Sequence, residues 1–114
     1  MGIEIPIEED ESRYVLRLDG SIKDTTLADV RTYIVEMLEQ CSDKPFVVDV
    51  SSLPLGFGNN AEYRERLMIA LLALNRDHSL LRIEGHREVL DHIVSSSRVC
   101  HVAEDSAGVY VAYQ

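Results

Sequence analysis

Tryptophan is absent from this chain, and phenylalanine and cysteine each occur only twice. So few cysteines exclude the disulfide scaffold of a small secreted domain. Cys41 and Cys100 also lack the CxxC or Cys/His spacing that holds zinc. Both read as reduced, half-buried small hydrophobes, and neither a metal nor any other cofactor is expected. Basic residues are scarce as well: eleven Lys and Arg against twenty Asp and Glu give a formal charge of −9. That balance repels a phosphate backbone, and no Lys/Arg cluster offsets it locally, so no nucleic-acid partner is expected. No run of about eighteen apolar residues is present to span a bilayer, which argues against membrane insertion. The opening Met1-Gly2-Ile3-Glu4-Ile5-Pro6 lacks the basic-then-apolar order of a secretory signal. Pro6 and Ile7 do not fit a myristoylation motif. A cytoplasmic location is expected.

What is present suits one globular domain over residues 1–114: a hydrophobic fraction of 46% and enough chain for a single core. Ile3, Ile5 and Ile7 alternate with polar residues, and Arg13 to Asp19 alternate again, with Tyr14, Leu16 and Leu18 on one face and Arg13, Arg17 and Asp19 on the other. The acidic run Glu8-Glu9-Asp10-Glu11 between them reads as the solvated turn of a hairpin. Gly20 ends the second strand, and Asp24-Thr25-Thr26 offers N-caps to a helix with Leu27, Val30, Ile34, Met37, Leu38 and Cys41 along one stripe. Phe46 to Val50 is a nearly continuous apolar run, the pattern of a strand covered on both faces in a helix-flanked sheet. A helix follows from Ala61 to Asn75, apolar almost all round, which fits deep packing or partial use against a partner. Leu80 to Glu84 reads as a strand, Val89, Leu90, Ile93 and Val94 as the apolar side of a short helix, and Val99 to Ala103 as a last short strand. Asp105-Ser106 can cap a terminal helix from Ala107, while Val109, Tyr110 and Val111 favour a strand. The order is β-β-α-β-α-β-α-β plus one open element. It predicts an α/β domain: a mixed sheet of four to five strands flanked by about four helices.

Chemistry is thinly represented. The four histidines fall at His78, His86, His92 and His101, in no HExxH pattern and with no shared helix face. No serine lies in GxSxG or SxxK. Asp49 is the one acid inside an apolar strand. It reads as a structural acceptor for amides of the following turn, holding Ser51-Ser52, with a general base or magnesium ligand as the alternative. Gly56-Phe57-Gly58 does not match a phosphate loop, and no Lys or Arg lies between Pro45 and Arg64. The loop after this strand therefore looks built for contact, with Phe57 either tucked under the helix or offered as an aromatic anchor.

Three segments in this order resemble the STAS domain, the fold of bacterial anti-sigma factor antagonists. They are Leu16-Arg17-Leu18-Asp19-Gly20-Ser21-Ile22-Lys23, Phe46-Val47-Val48-Asp49-Val50-Ser51-Ser52-Leu53, and Leu80-Leu81-Arg82-Ile83-Glu84-Gly85-His86-Arg87-Glu88-Val89-Leu90. The resemblance spans roughly residues 3–103. It implies a non-enzymatic interaction module of transcription regulation that docks on another protein through the edge at Phe57, Gly58, Asn59, Asn60, Tyr63 and Arg64, with Asp49 and Ser51 shaping the loop. The partner it implies is an anti-sigma factor of kinase fold or, alternatively, a transporter ATPase or larger signalling complex; a homodimer is compatible with it. In the family a phosphorylated serine opens the second helix. Here those slots fall on Phe57, Gly58, Asn59 and Asn60, and no Ser or Thr occurs from Leu53 through Asn60. The contrary expectation is a small α/β enzyme or ligand-binding domain centred on Asp49.

Overall fold

The alternation of Tyr14, Leu16 and Leu18 with Arg13, Val15 and Arg17 makes a strand with two unlike faces, and the rest of the fold is built against them. The structure is a computed structural model that describes residues 5–19, 27–52, 61–78, 81–95 and 99–113. Its elements run β1 Ile7–Glu9, β2 Tyr14–Asp19, α1 Leu27–Gln40, β3 Phe46–Ser52, α2 Ala61–Asp77, β4 Leu81–Glu84, α3 Arg87–Val94, β5 Cys100–Asp105 and β6 Gly108–Tyr113. The six strands form one mixed sheet in the order β1-β2-β3-β4-β6-β5. β1 and β2 are an antiparallel hairpin; β2, β3 and β4 are parallel neighbours; β6 lies antiparallel to both β4 and β5.

All three helices share a single core with one face of this sheet. Val30, Ile34 and Leu38 of α1, Leu67, Leu71 and Leu74 of α2, and Leu90 of α3 pack with Leu16, Leu18, Phe46, Val48, Val50, Leu81 and Ile83. Two successive crossovers that step in the same direction between adjacent parallel strands place their helices on the same side when both follow the usual right-handed rule. The i, i+4 and i+3 spacing of these side chains explains why each helix buries one stripe. At the hairpin end, Tyr33 Oη donates to the Ile5 carbonyl at 2.6 Å, and Tyr14 Oη donates to Asp43 at 2.7 Å. These bonds tie the start of the chain and the α1–β3 turn to the same block.

The structure corrects the expected tally. Among the described residues there are six strands and three helices, not four to five strands and four helices. The open element is a strand, because Val109 and Val111 suit a pleated surface and Gly108 takes a φ of +141° at the turn. Asp105, a candidate helix cap, instead closes that turn: its Oδ1 accepts from the amides of Ala107 at 2.9 Å and Gly108 at 3.2 Å. Nor do helices cover both faces of β3. Val47 is 1% exposed on the far face, where its neighbours in register are Val15 and Arg82 and the described helices do not pack. Gly20 and the Asp24-Thr25-Thr26 cap lie outside the described residues. No helix among the described residues is long and apolar enough to cross a membrane.

Candidate functional site

The carboxyl end of β3 is where an acid follows three buried apolar residues. In the parallel register Asp49 stands beside Arg17 of β2 and Glu84 of β4. Its Oδ1 accepts from the Ser51 amide at 2.9 Å and from the Ser51 hydroxyl at 2.6 Å. Its Oδ2 lies 3.4 Å from Arg17 Nε. The carboxylate thereby links the last residues of β3 to the neighbouring strand β2. Gly85, at the end of β4, lies close against the same stretch of β3. A Cβ there would lie 3.0 Å from Val50 Cγ2 and 3.4 Å from the Ser51 nitrogen, tighter than ordinary contact.

The same sheet face carries a set of ion pairs extending to the hairpin β5–β6. Arg17 pairs with Glu8 as well as Asp49. Arg13 Nη1 donates to both oxygens of Glu84 at 3.0 Å. Arg82 Nε sits 2.5 Å from Glu84 Oε2 but off the hydrogen-bond axis, so that contact is chiefly coulombic. The other end of Arg82 is held by a two-pronged contact to Asp105, at 2.7 and 2.9 Å, and its guanidinium lies 3.9 Å from the centre of the Tyr110 ring. The hydrogen bonds from Arg82 hold the Asp105 carboxyl well below the usual range, and Asp105 in turn raises the Arg82 pKa. Glu84, with a side chain 12% exposed, is the shared anion of two guanidinium groups.

Asp49 and Ser51 are thus brought together. Tyr63 and Arg64 fall in the first turn of α2, though their side chains are outside the described part, as are Phe57, Gly58, Asn59 and Asn60. No group of three or more His, Cys, Asp or Glu among the described residues is placed to hold a metal ion. His86 caps α3 by backbone position alone, with no side-chain bond to the helix. Cys41 and Cys100 are free thiols, and burial pushes the Cys41 pKa up. Sequence reasoning missed the partnership of Arg13, Arg82, Glu84, Asp105 and Tyr110. Its signal was present in the period-two alternation of Arg82 and Glu84 with Leu81 and Ile83. No family model, curated protein or solved structure matches this chain.

Proposed function

We propose that this chain is a non-enzymatic interaction module of bacterial regulation, similar in role to an anti-sigma factor antagonist. It docks through the β3–α2 connection and the first turn of α2. The observation that carries the reading is the state of Asp49. Both oxygens of the acid that an enzyme would use as a base are engaged, by Ser51 and by Arg17. The succession of strands and helices from β1 to β5 also supports the STAS resemblance, with β6 added.

The docking edge joins Phe57, Asn59 and Asn60 to Tyr63 and Arg64, an aromatic anchor with amides and a cation at its rim. Because no hydroxyl occurs from Leu53 through Asn60, phosphorylation does not switch this edge, and the module stays binding-ready. The test is calorimetric titration against a kinase-fold anti-sigma factor, together with intact-mass measurement after incubation with ATP. Expected are saturable binding, no added phosphate, and a loss of about 1 kcal/mol or more for Phe57→Ala and for Arg64→Glu. Failure to bind such a partner, a phosphate on Ser51 or Ser52, or a hydrolytic activity abolished by Asp49→Asn with folding intact would each sink the proposal.

A further inference from the structure

The open face of the sheet contains a concavity of about 390 Å³, within the size range of small-molecule sites. Pro45, Val47 and Ala107 give it apolar walls, and Arg13, Arg82 and Glu84 give it charge. This is a different place from the β3–α2 edge, and it has a different chemistry.

Arg13 brings unspent charged donors to the rim of the cavity. Glu84 already receives Arg13 Nη1 on both oxygens and has Arg82 against Oε2. Arg82 is immobilised from behind by Asp105, the Gly108 carbonyl and the Tyr110 ring. Among the described residues Arg13 spends only Nη1, which leaves Nε and Nη2 of the guanidinium fork to bind a ligand. That fork matches the two oxygens of a carboxylate. The apolar walls ask for a hydrocarbon body behind the headgroup.

We propose that this concavity binds a small aliphatic monocarboxylate, headgroup on Arg13 and body against Pro45, Val47 and Ala107. The experiment is an amide-shift NMR titration of the full chain with hexanoate, run beside hexylamine, hexanol, acetate and N-acetyl-leucine. Hexanoate should give saturable shifts at Val47 and Ala107, with hexylamine, hexanol and acetate weaker by about tenfold or more. Arg13→Gln should weaken hexanoate by a similar factor. Ala107→Trp fills the space without touching the ion pairs and should abolish the shifts, which keeps the test valid if Arg13→Gln does not fold. Equal binding of hexylamine or hexanol overturns the proposal, as does unchanged hexanoate binding in Ala107→Trp. Tighter binding of N-acetyl-leucine overturns the assignment to a free acid in favour of a peptide terminus.

Discussion

The two faces of the sheet are built from the same strands in strict alternation, yet different forces hold them. Towards the helices, Leu16, Phe46, Val48, Val50 and Ile83 are fully buried. Each such side chain contributes about 1.5–3 kcal/mol by leaving water, wherever it finds matching volume. On the other face Val15 and Val47 are buried too, but they share that face with Arg13, Arg17 and Arg82, whose heads pair with carboxylates. A core face tolerates any close packing of hydrocarbon. A charged face requires particular partners, since an unmatched charge there stands beside apolar surface. One face therefore stabilises through matched volume, and the other holds particular side chains in fixed positions.

Substitutions sharpen this contrast. Phe46→Ala, in the centre of the helix-side core, should cost about 3–5 kcal/mol in urea unfolding, because it leaves a cavity bounded by both layers. A loss no larger than that of a surface change would mean that the core is not the main source of stability. Glu84→Gln should cost about 1–2 kcal/mol, since the amide leaves the Arg13 and Arg82 charges without their shared anion. An unchanged unfolding midpoint would show that the charged face is decorative.

Acid titrates the same face. The hydrogen bonds from Arg82, with help from the amides of Ala107 and Gly108, hold Asp105 below its ordinary 3.8. A carboxyl with a lower pKa in the folded state stabilises fully above the unfolded value, and that contribution fades as pH falls through the folded one. The acid limb of a stability profile below about pH 4 should therefore be shallower in Asp105→Asn, with the difference from the parent greatest at neutral pH. Parallel profiles would remove Asp105 from the network. The smallest effect is expected at Arg17, half exposed on the edge: Arg17→Gln should cost under about 1 kcal/mol, and less at high salt.

Much of the architecture was legible because it follows from local periodicity. The two-residue alternation of β2 and the Val30, Ile34, Leu38 stripe of α1 dictate their own faces whatever lies around them. The last element was ambiguous because Asp105-Ser106 suits a helix start and a tight turn equally; Gly108 and the flanking valines decided it. The ion pairs were hidden for another reason. That Arg13 meets Glu84 across 71 positions of sequence depends on strand order and on sheet twist, neither of which a single segment encodes. At the candidate site the bonds that Ser51 donates to Asp49 were within reach of local reasoning, while the Arg17 partner required the β2–β3 register.

The position of β6 has a consequence for how the sheet is assembled. The crossover from β4 through α3 delivers β5 two places away and leaves a slot one strand wide, which only the following segment fills. Without Gly108–Tyr113 the sheet would be divided, and β5 would lose its one neighbour among the described strands. The insertion of β6 between two edges therefore couples β5 to β4. It also makes shortening the chain at Gly108 a removal of the sheet's interior, although the cut lies close to the end of the sequence.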